Sequence, residues 1–169
     1  MKIGVPKEIK PQENRIGLTP ESVKALVSAG HEVLVENNGG FEAGFYNEQY
    51  KSSGAIITNK AEDIFNDSEI IVKVKEPLPN EVKMIRENQI VFTYLHLAAA
   101  KELTQGLINS KSICIAYETV TDDNGKLPLL APMSAVAGRM SVQAGAHCLE
   151  KNQKGRGLLL GGAPGVEPG

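Results

Sequence analysis

The chain has 169 residues, of which 41% are hydrophobic and 22% charged, and its formal net charge is −2. This length suits one domain and part of a second. The near-neutral charge and the lack of long basic runs argue against a nucleic-acid surface. No apolar stretch reaches the roughly 18 residues of a membrane span, and the N-terminus lacks the apolar segment of a signal peptide. These features predict a cytoplasmic protein with no membrane or nucleic-acid partner.

Strand and helix patterns alternate along most of the chain. KIGV opens as a strand, and the next segment has complete helix signals, with Thr19 as N-cap, Pro20 at the first helical position and Gly30 just past the end. Further strands are predicted at 31–36, 54–58, 68–74, 89–95 and 112–118, and further helices at 47–53, 60–67, 79–87 and 98–110.

This alternation predicts βαβ units, and therefore an α/β fold with a parallel sheet, Rossmann-like or flavodoxin-like, covered by helices on both faces. In the helix at 98–110, we expect Leu103, Leu107 and Ile108 to be buried. Cys114 and Cys148 lie in apolar surroundings, and we interpret both as buried reduced thiols.

The character of the sequence changes after residue 130. A long helix rich in alanine and glycine is predicted from Ser134, and a glycine-rich tail follows from Gly155. We therefore interpret 1–130 as one domain, and 131–169 as a linker helix with the truncated start of a second domain.

Three chemistry-bearing residues lie where predicted strands end. Lys75 follows the run IIVKV, His96 follows VFTYL, and Arg15 lies between the first strand and the first helix. Ligands of open α/β sheets bind at the carboxyl ends of the strands, so we expect these side chains to meet there. Together they offer a carboxylate clamp, a group that polarises a carbonyl and a proton shuttle, which is what a 2-oxo acid requires.

Each of these residues also has a structural interpretation. Arg15 suits a solvated surface, Lys75 an ion pair with Glu76 or another acid, and His96 a hydrogen-bonded structural role. Alternation places Lys73 on the same face as Lys75, and because a buried unpaired ammonium is costly, at least one of the two should emerge at the strand end. Tyr94 lies on the same strand face as His96 and is expected to share its pocket.

Several familiar motifs are missing from the sequence. It contains no GxGxxG, no serine elbow, no HExxH and no P-loop, and its cysteines and histidines form no metal-binding cluster. The residues therefore indicate neither a metal site nor a complete dinucleotide-binding fingerprint.

The sequence resembles the N-terminal part of the alanine dehydrogenase family. The matching segments are GVPKEIKPQENRIGLTP at 4–20, VKVKEP at 72–77, TYLHLA at 93–98, AYETV at 116–120, LLAPMSAVAGRMSVQAGA at 129–146 and the closing LLLGGAPGV. The related proton-translocating transhydrogenase α subunit shares GVPKE, the arginine and the long helix. It usually lacks the lysine of VKVKEP and the histidine of TYLHLA, so their presence here favours a dehydrogenase.

The resemblance implies NAD-dependent, reversible oxidative deamination of L-alanine to pyruvate and ammonium. By position, Arg15 would bind the substrate carboxylate, and Lys75 would stabilise charge on a substrate oxygen. His96 would act as the general acid and base. Met133 would line the cleft, and Ser134 would contact NAD.

The resemblance also implies a homohexamer as the full-length protein. The family's glycine fingerprint and a second acid/base lie in a later part of the polypeptide, so we expect this chain alone to be inactive. Two alternatives stay open: a nucleotide-binding component of a transhydrogenase, and a non-catalytic fragment that binds keto acids or serves assembly.

Overall fold

The computed structural model describes all 169 residues and contains two compact units, 1–120 and 121–169. The first unit contains the strands β1 (Lys2–Val5), β2 (Glu32–Glu36), β3 (Ile56–Thr58), β4 (Ile70–Val72), β5 (Ile90–Thr93) and β6 (Ile113–Ala116). Its helices are α1 (Pro20–Ser28), α2 (Asn47–Ser52), α3 (Ala61–Asp67), α4 (Pro79–Val82) and α5 (Lys101–Ser110). The second unit contains the helix α6 (Ala131–Leu149).

The six strands form one parallel sheet in the order β3-β2-β1-β4-β5-β6. This is the strand order of a doubly wound Rossmann sheet. The predicted α/β class with a parallel sheet is therefore confirmed. The strand order reverses between β1 and β4, and the carboxyl ends of these two strands form the crevice in which such sheets bind ligands.

Hydrophobic cores cover both faces of the sheet. Successive side chains of a strand point to opposite faces, and accordingly Val33 and Val35 of β2 pack with residues of α1 and α2, whereas Leu34 packs with residues of α3 and α5. In β1, Gly4 permits α3 to approach closely, because a Cβ at this position would lie 2.4 Å from Ser68 Oγ and 2.6 Å from Ile64 Cγ2.

Most predicted elements are present, but α4 is shorter than expected. The pattern predicts a helix over 79–87, whereas the structure has a helix only at Pro79–Val82. Beyond it, the Arg86 side chain donates hydrogen bonds to the carbonyls of Phe65 and Ser68, at 3.1 and 2.7 Å. These bonds tie the segment to the end of α3, and Asn88 with φ of +63° then turns the chain into β5.

Two burial predictions are wrong, and those for Leu103 and Cys114 hold only in part. Ile108 is 63% exposed, because the adjacent Leu107 turns the apolar side of α5 towards the core and leaves Ile108 on the solvent side. Cys114 is only partly buried, and Cys148 is exposed. Cys148 lies on α6, a helix of 19 residues without a single buried residue in its unit.

The helix predicted from Ser134 is confirmed as α6 and begins three residues earlier, with Pro132 in its first turn. No helix of the protein combines the length and the apolar character that crossing a membrane would require. The interpretation of 131–169 as the start of a cofactor domain stays a prediction.

Two neighbouring residues of α5 provide a test of this packing. We expect Leu107→Ala to lower the free energy of unfolding by about 2–5 kcal/mol, because it removes a buried side chain and leaves a cavity. Ile108→Ala on the exposed side should change it by less than about 0.5 kcal/mol. Urea denaturation of both variants measures the difference, and equal losses would contradict the orientation of α5.

Candidate active site

The carboxyl ends of β1 and β4 are joined by a buried carboxylate, Glu8. This residue follows β1 and is 6% exposed. Its Oε1 accepts hydrogen bonds from the backbone N–H groups of Val74 at 2.6 Å and Lys75 at 3.1 Å. The loop that carries Lys75 is thus held from the neighbouring strand end at the switch point of the sheet.

Lys73 has a structural partner set, which distinguishes it from Lys75. Its ammonium is fully buried and donates hydrogen bonds to Glu8 Oε2 at 3.1 Å and Glu81 Oε1 at 2.7 Å. The other Glu81 oxygen accepts from the backbone N–H of Leu78 at 2.8 Å. Lys75 is only half-buried and lies three residues beyond the end of β4, so it is the lysine that emerges at the sheet edge.

Arg15 forms a two-pronged ion pair with Glu13. Its Nε donates to Glu13 Oε1 at 2.8 Å, and its Nη2 donates to Glu13 Oε2 at 2.7 Å. The Arg15 side-chain hydrogen bond, assisted by its backbone N–H and its charge and by the charge of Lys75, lowers the Glu13 pKa to about 2 although burial opposes the shift.

His96 lies three residues beyond β5 and has a left-handed backbone conformation, with φ of 51° and ψ of 39°. This region is uncommon for residues other than glycine, and strain of this kind concentrates at functional sites. The Glu118 carboxylate, which follows β6, accepts hydrogen bonds from the backbone N–H groups of His96 at 2.7 Å and Leu95 at 3.1 Å. Burial raises the pKa of Glu118, but the combined lowering by these hydrogen bonds and the His96 charge is larger. The Glu118 pKa therefore lies below its usual range.

Tyr94 has two ring neighbours, His96 and Tyr117. Its ring lies 5.9 Å from the His96 ring and 5.0 Å edge-on from the Tyr117 ring, measured between centroids. Burial, with a contribution from Tyr94, raises the pKa of Tyr117, which keeps that hydroxyl protonated.

Four of the predicted site residues lie in the first unit, in the segments that follow β1, β4 and β5 at the carboxyl edge of its sheet: Arg15, Lys75, Tyr94 and His96. The other two, Met133 and Ser134, lie in the second unit, exposed in the first turn of α6. Their prediction as cleft and cofactor contacts stays a prediction.

Sequence reasoning missed the carboxylates that hold this site together. Glu8, Glu13 and Glu118 were not singled out, and Glu76 was considered only as a partner of Lys75, whereas it pairs with Lys10 and faces His96. A signal was available, because Glu8 and Glu76 each follow a predicted strand and Glu118 ends one, and the carboxyl ends of parallel strands meet at one edge of a sheet.

Comparison with known proteins places the chain in a family. The family described as "Alanine dehydrogenase/PNT, N-terminal domain" matches residues 4–137. The chain belongs to the alanine dehydrogenase/PNT family. This confirms the resemblance drawn from its sequence segments.

Relatives within the alanine dehydrogenase/PNT family match the chain over almost its whole length. It is 52% identical to an alanine dehydrogenase of Methanococcus maripaludis, covering 99% of this chain and 45% of the relative. It is 53% identical to that of Geobacillus stearothermophilus, covering 100% of this chain and 45% of the relative. The chain therefore spans about half the length of the curated relatives it matches.

Solved structures separate the two branches of the family. An L-alanine dehydrogenase structure superposes with a TM-score of 0.84 at 56% identity, covering 100% of this chain and 46% of that chain. A transhydrogenase from Sinorhizobium meliloti is more distant, with a TM-score of 0.66 at 26% identity, covering 70% of this chain and 35% of that chain.

The buried lysine network gives a prediction for stability. We expect Lys73→Met to lower the free energy of unfolding by about 3–5 kcal/mol, because it leaves the Glu8 and Glu81 carboxylates buried without their cation. Lys111→Met is the matched control, since Lys111 forms only an exposed pair with Glu87 at 3.6 Å and should cost less than about 1 kcal/mol. Chemical denaturation at neutral pH measures both, and a small loss for Lys73→Met would contradict the network.

The low pKa of Glu13 gives a prediction for pH dependence. Because folding lowers this pKa from 4.5 to about 2, the stabilisation by Glu13 is complete above about pH 4.5 and is lost as the pH falls through about 2. The free energy of unfolding of the wild type should therefore exceed that of Glu13→Gln by about 1 kcal/mol at neutral pH. This difference should disappear at acidic pH.

Denaturant unfolding of both proteins, at pH values from about 2 to neutral, measures this difference in the free energy of unfolding. Glu32→Gln is the control, because Glu32 forms an exposed pair with Lys2 at 3.2 Å. A gap between wild type and Glu13→Gln that is independent of pH would contradict an ionised Glu13.

Proposed function

We propose that this chain supplies the substrate-binding part of an NAD-dependent alanine dehydrogenase. The enzyme would convert L-alanine, NAD⁺ and water into pyruvate, ammonium, NADH and a proton, and would run in both directions. The observation that carries the proposal is that Arg15, Lys75 and His96 lie in the segments that follow β1, β4 and β5, at the carboxyl edge of a Rossmann-type parallel sheet. The identity of 52% to 56% with proteins named alanine dehydrogenase supports it.

The two cationic side chains suit an amino acid or 2-oxo acid. Arg15 would bind the substrate carboxylate through parallel charge-assisted hydrogen bonds, the geometry to which a guanidinium is matched. Glu13 would orient the guanidinium from the protein side. Lys75, held at its backbone by Glu8, would donate to a substrate oxygen and stabilise the negative charge that develops there.

His96 would move protons during the interconversion of alanine and pyruvate. Water must add to the substrate C2 and ammonia must leave from it, and each step requires a base or an acid near neutral pH. Imidazole is the side chain best suited to both. The carboxylate of Glu118 fixes the backbone at His96, so the ring is presented from a defined position.

NAD, when bound, would accept the hydride from the substrate carbon. Within this chain, we propose Ser134 as its contact and Met133 as a contact of the substrate. The exposed hydroxyl of Ser134 in the first turn of α6 is chemically suited to a polar cofactor. We further propose, from the resemblance and the composition, a cytoplasmic enzyme that assembles as a homohexamer.

A transhydrogenase component is the second candidate, because the Sinorhizobium meliloti structure covers 70% of this chain. The lysine at 75 and the histidine at 96 favour the dehydrogenase, since a 2-oxo acid needs both groups and a nucleotide-binding component needs neither. Formation of NADH that depends on alanine would exclude this candidate.

The test is an activity assay of the full-length protein with L-alanine and NAD⁺. We expect alanine-dependent NADH formation, and we expect His96→Ala to lower turnover by roughly 10²–10⁴-fold while the protein stays folded, because proton transfer is lost. His31→Ala is the matched control, since His31 directly precedes β2 and therefore lies at the amino edge of the sheet, away from the site at the carboxyl edge. Unchanged turnover in His96→Ala, or no dependence on alanine, would contradict the proposal.

A further inference from the structure

A buried carboxylate oxygen beside the His96 ring lacks a hydrogen-bond partner. Glu76 follows Lys75 in the loop after β4, and its Oε1 pairs closely with Lys10 Nζ. Its Oε2 is buried, accepts no hydrogen bond and lies 3.6 Å from His96 Nδ1. Buried polar atoms of native proteins nearly always have a partner. The His96 ring is the group placed to supply one.

The charge state of Glu76 determines which form of the ring it can accept. Burial raises the Glu76 pKa, but the combined lowering by the hydrogen bond from Lys10 and by the charges of Lys10 and His96 is larger. The Glu76 pKa therefore lies below its usual range. An ionised carboxylate can only accept hydrogen bonds. It is therefore complementary to a ring nitrogen that bears a proton.

We infer that Glu76 is a positioning residue that fixes the tautomer of His96. The proton is held on Nδ1, facing Glu76, and Nε2 is the nitrogen that exchanges protons with the substrate. The hydrogen bond made by one ring nitrogen determines which form the other takes. This inference rests on the proposed role of His96 as general acid and base.

Two carboxylates act on different parts of His96. Glu118 binds the backbone N–H of His96 at 2.7 Å, and Glu76 faces the ring. The 3.6 Å separation is too long for a hydrogen bond. Contacts of this kind tighten when the substrate binds, and a small movement of the half-exposed ring suffices.

The first test reads the tautomer directly. The full-length protein is labelled with ¹⁵N in the histidine rings and studied at about pH 9, well above the ordinary histidine pKa of about 6.5. The His96 resonances are identified by their loss in His96→Asn. Spectra are recorded with and without pyruvate. In wild type we expect the signature of protonated Nδ1 and unprotonated Nε2, strengthened by pyruvate, and in Glu76→Gln a shift towards protonated Nε2, because an amide can donate as well as accept.

The second test reads turnover. We expect Glu76→Gln to lower kcat roughly 10–100-fold, the usual effect of losing a group that orients a functional histidine, with the KM for alanine changed less than about threefold. Glu76→Asp retains an acceptor and should recover part of both signals. Glu87→Gln, an exposed carboxylate paired with Lys111, is the matched control and should behave as wild type.

The outcomes separate this inference from the proposed function. A protein that oxidises alanine but shows the same His96 tautomer in wild type and Glu76→Gln would overturn the inference and leave the function standing. So would a tautomer shift without a loss of kcat. A protein with no alanine-dependent activity would overturn the function itself, whatever the spectra show.

Discussion

The buried ammonium of Lys73 is the interaction on which the arrangement of this edge depends. It lies at the switch point of the sheet and joins Glu8 after β1 to Glu81 in α4. Removing a charge from water costs several kcal/mol, and two carboxylates offset this only when the geometry is good. The carboxyl ends of β1 and β4 must therefore keep a fixed distance and orientation relative to each other. Glu8 also accepts a hydrogen bond from the backbone N–H of Lys75. The fixed position of Glu8 therefore determines where Lys75, the proposed substrate-binding lysine, emerges from the sheet.

The same device recurs around the rest of the edge. Glu13 holds the guanidinium of Arg15, Glu118 holds the backbone at His96, and Glu76 faces the His96 ring. In each case a carboxylate lies against a residue that would act on the substrate. The fixed geometry is what catalysis by oriented charges requires, since groups that need not reorganise stabilise a transition state best.

The family relationship and the geometry support the same chemistry from different directions. Membership in the alanine dehydrogenase/PNT family rests on residues 4–137 and does not by itself distinguish a dehydrogenase from a transhydrogenase component. In our proposal Lys75 and His96 favour the dehydrogenase, because they would supply the polarising and proton-transfer groups that deamination of an amino acid needs. The chain spans about half the length of its curated relatives, which is why the activity of the whole protein is a proposal.

Much of the fold follows from local pattern. The period of apolar residues and the cap at Thr19 determined the helix–strand alternation and hence the parallel sheet, because these signals act within a few residues of the chain. The sequence also placed Arg15, Lys75 and His96 after strands, where parallel topology brings distant segments together. It could not show that α4 would end at Val82 or that Ile108 would face solvent, because those depend on contacts across the sheet and on the exact angle of a helix.

The tertiary structure alone decided which acids hold the buried lysine and support the site. Alternation places Lys73 and Lys75 on one face, and the strand end at Glu76 and Pro77 favours Lys75 as the lysine that emerges. Only the folded chain brings Glu8 and Glu81, 65 and 8 residues away along the chain, to the Lys73 ammonium. The pairings of Arg15 with Glu13 and of Glu76 with Lys10 and His96 likewise depend on side-chain packing in three dimensions. Sequence spacing brings residues to the same edge, but electrostatic pairing is determined by distances of a few ångströms, which only the folded chain defines.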